Sequence, residues 1–388
     1  MMETQSPRSR ARLYLLAVII LALAGFLRIE AVRKLPVDFD ELVYLPTAFQ
    51  YEKTMAAGNW KDIPFQENME HPPLNKLLFA MDLLLRRPAE PAWDSLEVGR
   101  PISDQDRPAF DGPRKISMVG GTLQVLLTAL VNPAGGFLLA LDTYHTKYSA
   151  QVYLEGVPGL MAVLAVFLFE IGCAARKPEN EPAEQQLRWP VLWLSAASLG
   201  LSAAGKYLYG AVGFVLLAFL IRRTRSVKPA LLYALAALVV FLLADPFLWP
   251  NPPARLWESL TYHWRYAHSE HVVSSGMPWY SPIMFLVRSA PTHWHPGVFL
   301  TGWADVLLIP LTLIGLRRAW RERPVWLAWA AFGIILLLLW PTKWPQYTLL
   351  VRPPLAVCAG IGIGTVTHWL WRRVAKEKSG NGAEKPSL

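Results

Sequence analysis

Of the chain's 388 residues, 53% are hydrophobic, only 17% are charged and 17 are tryptophan, and the mean hydropathy is positive. A soluble domain of this length carries more charge, so the composition describes a polytopic membrane protein. The formal net charge of +9 is not a nucleic-acid signal, because the basic residues cluster in short segments beside apolar runs, as topology determinants do. Cys173 and Cys358 lie in or at the end of apolar runs without metal-ligand spacing, which supports neither a disulfide scaffold nor a zinc site.

In chain order, the apolar run 13–26 follows Arg8, Arg10 and Arg12, which predicts a first span with a cytoplasmic N-terminus and an external loop after it. Ala22-Leu23-Ala24 has the form of a signal-peptidase site, but the many later apolar runs favour an uncleaved anchor. In the first outer loop, 34–115, Pro46 fits the first turn of an amphipathic helix carrying Ala48, Phe49, Tyr51, Met55 and Ala56; Gly58 ends it, and it can lie on the membrane surface. Pro72 and Pro73 impose an extended approach to a helix over 74–85 and set the direction of Glu70 and His71. Further apolar runs cover 116–131, 136–141, 152–171, 191–204, 207–221, 231–247, 298–316, 325–340 and 349–371. Several fall short of the ~20 residues a bilayer requires, 136–141 most of all.

Counting about ten spans puts the basic clusters Arg222-Arg223-Thr224-Arg225, Arg317-Arg318 and Arg372-Arg373 in the cytoplasm. The loops 34–115 and 249–296 then share the outer face. The expected architecture is an all-α, multi-pass bundle in the cell's inner or plasma membrane: one domain over 1–373, with 374–388 a polar, disordered cytoplasmic tail.

Three positions suggest chemistry. Asp40-Glu41 sits directly after the first apolar run; it reads either as helix N-terminal acids complementing the dipole or as a carboxylate pair at the membrane surface. Glu155 opens the run 152–171, where carboxylates entering a bundle are usually paired or functional. Lys206 stands alone between two runs, either snorkelling to the interface or holding an anion such as phosphate. Trp249, Trp257, Trp264, Trp279 and Trp294 stack on sugar or belong to an interfacial aromatic belt. A transporter or flippase using Asp40, Glu155 and Lys206 as an ion relay is the rival reading, though the sequence shows no inverted repeat.

The motifs together resemble the GT-C membrane glycosyltransferases, and among them the protein O-mannosyltransferase-like group that uses polyprenyl-phosphate sugars. Asp40-Glu41 with Tyr44 is similar to that group's acidic pair. Glu70-His71-Pro72-Pro73-Leu74 resembles its His-Pro-Pro-Leu step, and Gly205-Lys206-Tyr207 its Thr-Lys-aromatic element. The stretch from Asp142 through His145 and Ser149 to Glu155, and the segment around His263, His268 and His271, continue the likeness. The chain departs from the group in carrying Glu rather than Asp at 155, Ser149-Ala150 in place of Ser-Arg, and a shorter stretch between Gly120 and Asp142.

The resemblance implies inverting transfer of a sugar, mannose-like, from a polyprenyl-phosphate donor to a protein hydroxyl, lipid or glycan on the extracytoplasmic side. It assigns Asp40 as general base, Glu41 and Glu155 as further catalytic carboxylates, and Lys206 to the donor phosphate. Tyr44, Glu70, His71, His145 and His263 would position substrate. Glu70, His71 and His263 are also candidate ligands for a divalent metal, the alternative being that they only hold the acceptor loop. The absence of a glycine-rich phosphate cradle agrees with a lipid donor rather than a nucleotide; no nucleic-acid partner is expected.

Overall fold

The computed structural model describes residues 7–65, 71–174, 187–298 and 302–380. Among them there is no strand. α1 (Pro7–Lys34) leads into the first long loop, which holds α2 (Glu41–Ala56), a 3₁₀ turn (Trp60–Phe65) and α3 (Leu74–Arg86). Then follow α4 (Arg107–Val131), α5 (Pro133–Leu141), α6 (Thr143–Tyr148), α7 (Gly156–Cys173), α8 (Trp189–Gly205), α9 (Tyr207–Gly210), α10 (Val212–Thr224) and α11 (Lys228–Ala244). The second long loop carries α12 (Pro252–Ala267), α13 (Glu270–Ser274) and α14 (Ser281–Leu286), before α15 (Trp303–Glu322), α16 (Pro324–Leu339) and α17 (Arg352–Gly380).

Among the described residues, four stretches are long and apolar enough to cross a membrane: Ser9–Lys34, Gly156–Cys173, Tyr207–Thr224 and Arg352–Ala375; Lys228–Ala244 and Pro324–Leu339 are shorter apolar helices. The run 136–141 belongs to α5, whose 9 residues rise about 14 Å, under half of the ~30 Å hydrocarbon core. It is therefore not a crossing by itself. Asn132 breaks the chain before α5 with extended backbone, and its side chain accepts from the Gly135 N–H. Asp142 breaks it again after α5 and accepts from the His145 N–H. α17 continues to Gly380, so helix replaces tail through that residue, and 381–388 lie outside the described residues.

Two local expectations change. α2 begins at Glu41, so Pro46 lies within the helix rather than in its first turn. α2 thus starts at a residue whose side chain is held by Arg114. Its apolar face is covered from inside: Tyr44, Leu45, Ala48 and Phe49 pack with Phe79 and Leu83 of α3 and Phe110 of α4. α7 begins at Gly156 rather than 152, because the preceding loop gives its backbone groups to other elements. The Val152 N–H goes to Glu41 (2.8 Å), the Tyr153 carbonyl accepts from Ser117 (3.2 Å), and the Leu154 carbonyl from Asn75 (2.7 Å).

The main core joins α7, α8, α10, α16 and α17 through Val163, Val166, Leu192, Leu216, Trp326, Trp329 and Leu355. α15 crosses α17 at Gly315 and Gly362, where a Cβ on Gly362 would stand 1.9 Å from the Leu311 carbonyl oxygen. Small residues at such crossings let apolar helices reach van der Waals contact along their backbones.

Candidate active site

Asp40 stands at the N-cap of α2, near the start of the first long loop, and the neighbouring Glu41 determines where it stands. Glu41 is fully buried and holds Arg114 of α4 in a bidentate pair, Oε1 to Nε at 2.7 Å and Oε2 to Nη2 at 2.6 Å. The same carboxylate accepts the N–H groups of Asp38 (3.0 Å) and Val152 (2.8 Å). Arg114 spends its remaining donors on the carbonyls of Val32, Leu35 and Pro36. Every hydrogen-bonding group of this pair is thus used to hold the exit of α1 against α4 and the loop before α7.

Asp40, left half-buried beside that anchor, lies on the wall between two adjoining cavities. The first, of about 270 Å³, is lined by Asp40, Tyr44, His71, Lys206 and His263, with Tyr266, Gln346 and Tyr347. The second, of about 500 Å³, adds Asp38, Lys147, Tyr148, Tyr153 and Trp294. Gln346 donates to Asp40 Oδ2 at 3.2 Å. Burial first, then the charges of Glu155 and Asp38, push the Asp40 carboxyl up to about 7, against the opposing pull of Lys206 and Lys147.

Lys206 sits at an extended break between α8 and α9. Glycine at 205 eases the close approach of this break to α7: a Cβ there would stand 3.0 Å from the Pro158 side chain and 3.1 Å from Asn75. The Lys206 ammonium pairs with Glu155, the residue capping α7, and lies 4.8 Å from the centre of the Tyr347 ring. Glu155 is fully buried, and its second oxygen has no hydrogen-bond partner. A buried carboxylate oxygen left this way carries a desolvation cost that a ligand donor would remove.

The histidines divide. His71 packs edge-on to Tyr44 at 6.0 Å and 5.3 Å from His263, and His263 in turn meets Trp340. Burial foremost, then the Lys206 charge, holds His71 well below the usual histidine value, so its ring is neutral at pH 7. His145 instead lies fully buried in the helical wall, bonded to Arg28 (2.6 Å) and Gln124 (3.1 Å). The structure therefore gathers Asp40, Tyr44, His71, Lys206 and His263 around one space, with Glu155 behind Lys206. Glu41 and His145 are turned into packing networks. Glu70 lies outside the described residues; among those described, no three His, Cys, Asp or Glu side chains are placed to hold a metal ion.

Sequence reasoning passed over a second cation. Lys147 of α6 pairs with Asp38 (2.5 Å) and donates to Gln151 (2.9 Å), with the Tyr148 ring centre 4.3 Å away. Tyr153 also donates to Asp38. Burial raises the Asp38 carboxyl, but the charge and hydrogen bond of Lys147 and the Tyr153 hydroxyl outweigh it and keep it below the usual range. Asp38 thus stays ionised two residues from Asp40. Gln346 and Tyr347, in the 3₁₀ turn Pro345–Leu350, were also missed; the flanking Trp344-Pro345 step was their one signal.

No family model matches the chain, and no curated protein matches it in sequence. In three dimensions it is similar to ArnT from Cupriavidus metallidurans bound to undecaprenyl phosphate, with a TM-score of 0.60 and 16% identity over 89% of this chain. It is also similar to the archaeal oligosaccharyltransferase AglB from Archaeoglobus fulgidus in complex with an inhibitory peptide and a dolichol-phosphate, with a TM-score of 0.55 and 13% identity over 96% of this chain. The fold is that of the GT-C glycosyltransferases. With its apolar helices, this fold makes the chain an integral membrane protein. The match spans 60% of ArnT and 52% of AglB. The Saccharomyces cerevisiae protein O-mannosyltransferase complex Pmt1-Pmt2, bound to its sugar donor, matches 64% of this chain at a TM-score of 0.42, too low to speak for a shared GT-C architecture.

Proposed function

We propose that this chain transfers a sugar from a polyprenyl-phosphate-linked donor to an acceptor hydroxyl on the extracytoplasmic face, by a single inverting displacement. The observation that carries the proposal is the placement of Asp40 and Lys206 on the wall of one cavity, in a fold whose solved examples hold undecaprenyl phosphate and dolichol-phosphate. An acceptor hydroxyl must lose its proton as it attacks the anomeric carbon, and a carboxyl titrating near 7 is suited to take it. The departing lipid phosphate gains charge, which the Lys206 ammonium offsets; with three N–H donors it can keep Glu155 and still reach an oxygen. Glu155, behind that lysine, aligns it, and its negative charge favours the developing positive charge on the sugar.

Mannosyl-phosphoryl polyprenol is the donor the sequence motifs favour, with protein, lipid and glycan acceptors all accommodated by the reading. The test is purified protein supplied with radiolabelled donor in the presence and absence of acceptor. Wild-type protein should release or transfer label, and Asp40→Asn should lower the rate by about 10²–10⁴-fold, the usual worth of a general base. Donor left intact by wild-type protein, or proton-coupled uptake without sugar release, would overturn the proposal.

A further inference from the structure

At the end of the bundle opposite Asp40, α4, α7, α10 and α16 border a cavity of about 900 Å³, with Arg188 just before α8. The helices themselves establish the separation. α7 runs from Glu155 to Cys173 on the cavity wall, α8 returns from Arg188 to Lys206, and α16 runs from Arg323 to Trp340 beside Lys206. At 1.5 Å per residue, these helices hold the two spaces about 25 Å apart. Nothing in the transfer chemistry uses this second space.

Its interior is apolar, walled by Leu130, Phe167, Phe219 and Val325, and its mouth is basic. Among the described residues the charges do not cancel there. Arg323 is closed on Glu170 (2.7 Å) and the Val131 carbonyl (3.1 Å), and Glu322 is taken by Arg318 (2.6 Å). Arg222 and Arg223 have no ion-pair partner among the described residues, and the Arg223 Nε is buried without a hydrogen-bond partner. A space this large falls in the ~300–1,000 Å³ range of ligand sites, and apolar walls give water little to bind. Guanidinium groups at its mouth select an anion with paired oxygens. A hydrocarbon interior under an arginine mouth, at the end of membrane helices, matches one ligand class: a phospholipid with a net negative headgroup.

We propose that this cavity is an anionic-phospholipid site, with an acyl chain among α7, α10 and α16 and the phosphate on Arg222 and Arg223. The lipid fills the space between helices whose other ends carry Lys206 and Trp340.

The test is native mass spectrometry of the full-length protein in detergent, titrated with phosphatidylglycerol, phosphatidylcholine or inorganic phosphate. Wild-type protein should retain phosphatidylglycerol about tenfold more tightly than phosphatidylcholine, and the Arg222→Gln/Arg223→Gln variant should lose that preference. Val325→Trp, which fills the apolar interior with both arginines intact, should lower retention of either lipid; this arm decides the matter if the double variant does not fold. Equal retention of both lipids by wild-type protein, an unchanged preference in the double variant, or binding of inorganic phosphate with no lipid held would each overturn the site.

Discussion

The burial that suits Asp40 to the proposed role of base also makes it costly to the fold. Its carboxyl titrates near 7 in the folded chain and near 3.9 when unfolded. Between those values the native state binds the extra proton, so this residue lowers stability as pH rises and its full cost is reached above about 7. Asp40→Asn should therefore raise the unfolding midpoint at pH 8, and the gain should shrink to nothing by about pH 4. Transfer should run the opposite way in wild-type protein, rising about tenfold per pH unit below 7 and levelling above it, as deprotonated base becomes available. Thermal unfolding and initial rates across that range check both. A gain in stability at pH 4 as large as at pH 8 would show that burial of the Asp40 charge is not its cause.

The elements that carry the site are held by single arginines. Breaking a buried pair strands its partner, at about 3–5 kcal/mol, so Arg114→Met should lower stability by that amount and loosen Asp40 with it. Glu41→Gln should behave likewise, losing activity through position rather than through a missing catalytic group; pairing the two changes should recover most of the stability. On the second long loop, Arg255 of α12 stacks between Phe65 and Phe247, 4.8 Å from each ring centre, and donates to the carbonyls of Pro64 (2.5 Å) and Phe247 (3.2 Å). It pins the helix that brings His263 and Tyr266 to the cavity. Arg255→Ala should raise KM about tenfold with little change in kcat, as stacked cation and hydrogen bonds worth about 1–2 kcal/mol are lost.

What the sequence disclosed and what it concealed follow from where partners lie. Asp40, Glu155 and Lys206 stand out in the sequence, Asp40 by following the first apolar run and the other two as charges among apolar residues. The family resemblance gives Glu41 a catalytic part, and nothing local in the sequence announces its pair with Arg114, 73 positions away. Lys147 was passed over for the same reason, its partner Asp38 being 109 positions distant. α5 was hard to interpret because apolar composition fixes burial but not length, and its limits are set by the caps at Asn132 and Asp142.

Across the whole bundle, one buried arginine joins segments far apart in the chain. Arg352, fully buried at the start of α17, pairs with Asp142 at the head of α6 and, at 3.3 Å, with Asp305 of α15. It also donates to the Phe285 carbonyl of α14 (2.7 Å) and to Thr348 (3.2 Å). Thr348 shares its short turn with Gln346 and Tyr347, so this junction sets the far wall of the Asp40 cavity. Arg352→Met should strand two buried carboxylates and lower stability by about 3–5 kcal/mol. Adding Asp142→Asn and Asp305→Asn removes the stranded charge, so the triple variant should regain most of that loss in denaturant unfolding. Activity should not return with it, because a methionine cannot hold Thr348 and Phe285, and Gln346 loses its bearing on Asp40. Recovery of both stability and rate in the triple variant would mean that packing alone positions that wall, and that the arginine junction serves only to neutralise its acids.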